Sequence, residues 1–124
     1  MKTDWRQFCQ NAGFTPLDQG IEVHFESGRS QKVSIEDHED AFQLSSLVAR
    51  PSVVAELDDA PLRCWVRTRS VHLVGFRVDA RARLIAEAWL PKAGLTPEEF
   101  QFVLRHLAAE ADRFEFQLTG RDQE

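Results

Sequence analysis

Apolar residues recur along this chain at two spacings, near 3.6 in three stretches and near 2 in five. Trp5, Phe8, Cys9 and Ala12 share one face at the longer spacing. Asp4 can cap such a helix, with Gln7 completing a capping box. The pattern predicts a first helix from about Asp4 to Ala12, ended by Gly13 and Pro16. Ile21-Glu-Val-His-Phe-Glu26 then alternates strictly, with Ile21, Val23 and Phe25 on one side, as a half-buried strand does. Ser27-Gly28-Arg29-Ser30 is turn chemistry and Lys32-Val-Ser-Ile35 alternates again, which predicts a hairpin. A third strand is expected from Ala41 to about Ala49, with Phe42 and Leu44 inward.

Between Pro51 and Arg69 the periodicity is less clear, because either Pro51 or Pro61 can open a helix at its first turn. The residue pattern predicts a helix from about Ala60 to Arg69 with Leu62, Trp65 and Val66 buried. Val53 to Leu57 fits either a short strand or a helical turn. Val71–Val78 and Arg83–Leu90 read as two strands joined across Asp79-Ala-Arg-Ala82. Both carry apolar residues on two faces: Val74, Phe76 and Val78 beside Leu73, and Ile85 and Trp89 beside Leu84 and Leu90. A sheet apolar on both sides must be covered on both, so one face is expected to need a partner or a second copy. The last helix has the strongest start signal, Thr96-Pro97-Glu98-Glu99, a capping Thr with Pro in the first turn and Glu at the box position. Phe100, Val103, Leu107, Ala111, Phe114 and Leu118 follow at spacings of three and four, Gly120 suits the stop, and Arg121–Glu124 is a polar tail.

The predicted order is α-β-β-β-α-β-β-α. The fold class is α+β, with a single antiparallel β-sheet of about five strands flanked by helices. The 124 residues suit one domain spanning 1–124. No stretch approaches the ~18 apolar residues of a membrane span, and Asp4, Arg6 and Gln7 interrupt any early apolar run. The cytoplasm is the expected location, and Cys9 and Cys64 are expected to be buried free thiols.

That order, with the residues of the second half, resembles the YbjN family, whose fold is like that of type III secretion chaperones. The matching stretches are Leu62-Arg-Cys-Trp-Val-Arg-Thr-Arg69, Gly75-Phe-Arg-Val-Asp79 and Ala86-Glu-Ala-Trp-Leu-Pro91. Gly94-Leu-Thr-Pro-Glu-Glu-Phe100, Leu107-Ala-Ala-Glu-Ala-Asp-Arg-Phe-Glu115 and Leu118-Thr-Gly120 continue the match. The resemblance covers about residues 60–120 and, before that, strand order alone. It implies a dimeric, chaperone-like or adaptor protein without catalytic residues, in a family linked to bacterial stress responses.

Charge adds a second surface. Net charge is −5, yet residues 63–83 hold Arg63, Arg67, Arg69, Arg77, Arg81 and Arg83 against Asp79 alone. That segment is locally +5, and the remaining 9 basic and 19 acidic residues give −10. A bipolar surface suits oriented association with a charged partner. Arginine's planar fork binds phosphate or carboxylate oxygens in pairs, so this cluster is the candidate site for phosphate or an acidic partner. The leading expectation is a protein client held as a homodimer, with Val74, Phe76, Ile85 and Trp89 as candidate contacts. A nucleic-acid-associated stress or repair accessory protein using the arginine-rich face is the alternative.

Catalytic and metal chemistry find little material. His24, His38, His72 and His106 are scattered singly, without the close pairs that zinc sites use. The run Glu36-Asp37-His38-Glu39-Asp40 lacks the alternating ligands and turn glycine of a calcium loop. It reads as a solvated acidic loop whose functional use would be attraction to a basic partner segment. Ser45, Ser46 and Ser70 lie outside any nucleophile elbow, and no phosphate loop or dinucleotide fingerprint occurs. No enzyme activity, cofactor or metal is expected.

Overall fold

The period-2 segments pair into one six-stranded antiparallel sheet, ordered β1-β2-β3-β4-β6-β5. The computed structural model describes residues 4–10 and 13–119. The strands are β1 Phe14–Pro16, β2 Gly20–His24, β3 Ser30–Asp37, β4 Ala41–Ala49, β5 Gly75–Val78 and β6 Leu84–Pro91. Helices α1 Pro51–Val54, α2 Ala60–Ser70 and α3 Pro97–Thr119 complete the chain, with a single 3-10 turn, Trp5–Cys9, at its start. The order of strands and helices is therefore the expected one with one strand added, and the open segment before α2 forms the short helix α1.

The added strand is β1. Three residues ending in Pro16 are too few to show a period, and they become a strand only because Phe14, Thr15 and Pro16 align with Val23, Glu22 and Ile21. Proline donates no ladder hydrogen bond, which confines it to an edge such as this one. The expected first α-helix is shorter and tighter, a 3-10 turn capped by the Asp4 carboxylate on the Arg6 N–H at 3.0 Å. Ala12, Gly120 and the tail Arg121–Glu124 lie outside the described residues. The strand expected from Val71 begins only at Gly75, because α2 runs on to Ser70 and Leu73 turns the chain at φ +68.

One face of the sheet carries the core. Ile21, Val23, Val33, Ile35, Phe42, Leu44, Phe76, Leu84, Ala86 and Ala88 point to it, and α3 lies across them. The capping box forms as its spacing predicts: the Glu99 N–H donates to Thr96 Oγ1 and the Thr96 N–H to Glu99 Oε1, both at 3.1 Å. From that start Phe100, Val103, Leu104, Leu107, Ala108, Ala111 and Phe114 face the sheet and are buried. Phe100 meets Phe42 edge-on at 5.6 Å, and Phe8 of the 3-10 turn joins them. Cys9 and Cys64 are buried free thiols. Burial pushes the Cys9 thiol up to about 12 and raises Cys64 as well, so neither is a thiolate at neutral pH.

Two turns depend on single residues. A Cβ at Gly20 would stand 2.2 Å from the Val33 carbonyl oxygen, so β2 can approach β3 there only as glycine. At the β5–β6 turn, Ala82 adopts φ +63 and Asp79 folds back over it. Asp79 Oδ1 accepts from the N–H groups of Arg81 at 3.0 Å and Arg83 at 2.9 Å, while Oδ2 accepts from Arg83 Nε at 2.9 Å. Desolvation alone would raise the Asp79 carboxyl. The hydrogen bonds from Arg83 and Arg81 and the Arg83 charge outweigh it and hold the group below the usual carboxylate range.

Gly20→Ala is expected to cost about 1–3 kcal/mol of overpacking strain, measured by urea unfolding; an unchanged midpoint would show that β2 shifts freely away from β3. Because Asp79 is held below its unfolded value, its stabilisation is complete above pH ~4 and disappears as pH falls through its lowered folded value. Asp79→Ala should therefore flatten the acid limb of the stability–pH curve and lower stability near pH 7 by about 1 kcal/mol, as loss of a capping side chain does.

Candidate functional site

Helix α2 does not lie on the sheet face. It packs along β5, the last strand of the sheet, by a narrow stripe of small residues in which Ala60 and Cys64 are buried. Thr68 continues that stripe: its hydroxyl accepts the Phe76 N–H at 2.9 Å and lies 3.5 Å from the Phe76 carbonyl oxygen. The middle of an edge strand is thereby occupied and shielded from a foreign strand. Asp59, at φ +52, caps the helix on the Leu62 N–H at 3.4 Å.

This placement reverses an expectation. Leu62, Trp65 and Val66, expected to be buried by their spacing, are all more than half exposed, Trp65 at 57%. An edge strand offers backbone and few side chains, so the small residues of α2 dock and its large ones face outward. The Arg69 guanidinium lies 4.7 Å over the Trp65 ring, leaving an apolar stripe with a cationic end. Large apolar side chains grouped on a surface mark an interaction site far more often than scattered ones do.

The four candidate contacts are not one surface. Val74 and Phe76 lie in the core, with Phe76 edge-on to Phe114 at 5.0 Å. Ile85 alternates onto the opposite, open face of the sheet, beside Leu47, and is nearly covered. Trp89 follows it on that face and is exposed, with the His38 ring stacked on it at 5.1 Å. Apart from Ala41, Leu47, Ile85, Trp89 and Pro91, the open face near β6 is polar. His38 joins Glu36 at 3.2 Å and Gln43 at 3.0 Å. Gln43 donates to Glu87 at 3.0 Å, and Glu87 pairs with Arg77. Much of this face thus satisfies itself without a covering layer.

The six arginines are dispersed in the same way. Arg77 pairs with Glu87, Arg83 with Asp79 at 2.8 Å, and Arg67 with Glu110 at 3.3 Å. Arg63 Nε donates to the Asp58 carbonyl at 3.1 Å, and Arg81 lies on the β5–β6 turn. Glu110 is a buried carboxylate of α3, 7% exposed, and Arg113 is its second partner. Arg67 reaches it from α2, donates to Gln117 at 2.7 Å and lies 5.2 Å from the Phe114 ring. It is the bolt between α2 and α3. Between these helices runs a groove lined by Leu62, Val66, Arg63 and Phe114.

A second, more apolar groove of about 500 Å³ opens where β6 ends and α3 begins, lined by Leu73, Leu90, Pro91, Leu95, Phe102 and Val103. Sequence reasoning missed it, because Phe102 lies off the buried stripe of α3 and reads there as an isolated surface aromatic. Among the described residues no group of three His, Cys, Asp or Glu side chains converges for a metal. No described helix is long and apolar enough to cross a membrane.

Removing one partner from a buried ion pair costs about 3–5 kcal/mol. Arg67→Ala should therefore lower stability by about 3 kcal/mol, whereas Arg81→Ala, exposed on the β5–β6 turn, should change it by under about 0.5 kcal/mol. Chemical denaturation of the two variants separates the bolt from the exposed cation.

No family model matches the sequence, and no curated protein does. Solved structures do match. YbjN from E. coli superposes with a TM-score of 0.65 at 18% identity, covering 93% of this chain and 88% of that one. The ExsC–ExsE complex gives 0.57 at 20% identity, with 84% and 80% covered. The Yersinia pestis type III secretion chaperone SycH, in complex with a fragment of YscM2, gives 0.50 at 10% identity, with 89% and 95% covered. The chain has the fold shared by YbjN and the type III secretion chaperones.

Proposed function

We propose that this protein is a non-enzymatic, chaperone-like binding protein that works as a cytoplasmic homodimer and holds a protein client. The observation that carries the reading is the outward apolar stripe of α2, Leu62, Trp65 and Val66. Fully burying such a side chain from water gains about 1.5–3 kcal/mol, and the monomer, which leaves each of the three more than half exposed, forgoes much of that driving force. The chaperone-like fold supports client binding, since ExsC and SycH are seen in complexes with ExsE and with a YscM2 fragment.

Charge selects a second copy as the cover for α2. Asp58 and Asp59 precede the helix, and Arg67 and Arg69 lie in its last turn, with no acid between. Two such helices packed antiparallel about Trp65 bring the Arg69 of one copy to Asp58 and Asp59 of the other, twice by symmetry. A parallel pair would set like charges side by side. The antiparallel arrangement is isologous and closed, as a two-fold dimer requires.

Sedimentation of the wild-type chain at tens of micromolar is expected to give a dimer. Trp65→Asp should give a folded monomer, with unchanged far-UV circular dichroism. A wild-type monomer at that concentration would remove the homodimer from the reading. Asp58→Arg with Asp59→Arg should weaken the dimer at least tenfold, and adding Arg69→Asp should restore it.

A further inference from the structure

We propose that the groove between the end of β6 and the start of α3 docks an apolar segment of a protein partner flanked by lysine or arginine. The inference rests on the client-binding reading above and supplies the site and chemistry it leaves open. Two large apolar side chains stand exposed over this trough, Leu73 at 61% and Phe102 at 59%. Leu73 is also held at φ +68, in the left-handed region that side-chain-bearing residues other than Asn and Asp rarely adopt. The chain thus spends backbone strain at a residue whose side chain the monomer does not bury. The wall is fixed rather than loose. His106 Nε2 lies 2.7 Å from the His72 carbonyl oxygen, and its ring stacks on Phe102 at 6.0 Å.

The volume, about 500 Å³, falls among ligand pockets. The lining argues against a small polar ligand, because Glu98 and Glu99 are its only polar side chains and the rest are apolar. A row of apolar side chains from an extended or helical segment fits an open trough of this kind.

Charge decides the flanks of that segment. Glu98 and Glu99 stand on the rim. The hairpin Glu36–Asp40 meets the same end of the molecule, where the Lys92 N–H donates to the Asp40 carbonyl at 2.9 Å. Glu36, Asp37, Glu39, Asp40, Glu98 and Glu99 make six carboxylates against the one ammonium of Lys92, which Asp37 already holds. The acidic run of the sequence thus lies at the same end of the molecule as this apolar groove. Clustered like charge of this kind draws in segments of opposite sign and rejects acidic ones. The cationic α2 stripe of a second copy is the rival occupant. Seated head-to-tail in this groove it would propagate an open chain rather than close a dimer.

The test uses two fluorescein-labelled peptides of 14 residues with identical leucine positions, one with lysine and the other with glutamate at every remaining position. Fluorescence anisotropy with the full chain in 50 mM salt should show the lysine peptide bound at least tenfold more tightly than the glutamate peptide. Phe102→Asp should weaken the lysine peptide at least tenfold and Glu98→Lys with Glu99→Lys should erase the preference, while Glu26→Lys, exposed on the distant β2–β3 turn, leaves both unchanged. Circular dichroism checks that each variant is folded. Equal affinity for the two peptides, or lysine-peptide binding lost on Trp65→Asp but kept on Phe102→Asp, overturns the proposal. Loss of self-association on Phe102→Asp, read by sedimentation, would assign the groove to a second copy and also overturn it. Failure of peptide binding with an intact Trp65-dependent dimer removes this groove alone, whereas a monomeric wild type that still binds the lysine peptide removes only the dimer.

Discussion

Phe100, Val103, Leu104, Leu107, Ala111 and Phe114 leave water together against Phe42, Leu44, Leu84 and their neighbours, and the rest of the molecule is arranged around that contact. α3 is the one long helix available, and it covers one face of the sheet. Its 23 residues extend roughly 35 Å at 1.5 Å per residue, enough to cross several strands about 4.8 Å apart. Once α3 takes that face, the shorter α2 lies at the edge of β5, and among the described residues no helix covers the opposite face of the sheet.

The helix at that edge needs an anchor, and polar chemistry supplies it. Arg67 and the buried Glu110 connect α2 to α3, with Gln117 and Arg113 completing the cluster. A buried carboxylate is costly unless paired, so the cluster constrains where α2 can lie more than it adds stability. Thr68 does related work at the strand edge by occupying the backbone of Phe76. Both contacts hold α2 by its narrow side and leave Leu62, Trp65 and Val66 facing out. The exposed apolar stripe is thus a consequence of how the core closes.

Charge follows the same division. Arginines that a count along the chain collects into one basic block are separated by the fold, three of them neutralised by Glu110, Glu87 and Asp79. What stays exposed is a cationic end on α2 and an acidic end around the β3–β4 hairpin. The groove beside α2 therefore carries both signs, Asp58 and Asp59 at one end and arginines along the helix, whereas the rim of the β6–α3 groove is acidic.

Local signals in the sequence were sufficient for most of the elements. Thr96 and Glu99 announce the start of α3, Asp79 and its neighbours the β5–β6 turn, and the alternation of Ile21 to Phe25 a half-buried strand. These depend on residues within a few positions of one another, so a linear reading reaches them. The order of helices and strands, and with it the fold resemblance, follows. β1 was not legible, because Phe14–Pro16 becomes a strand only through pairing with β2. The burial of α2 was misread for a related reason: spacing shows that Leu62, Trp65 and Val66 share a face, but only the position of α2 beside an edge strand decides whether that face meets the core or water. The same holds for Phe102 and Leu73, whose groove is built from β6, α3 and the turn before β5. Periodicity is a property of the chain; which side of each element finds a neighbour is a property of the packing.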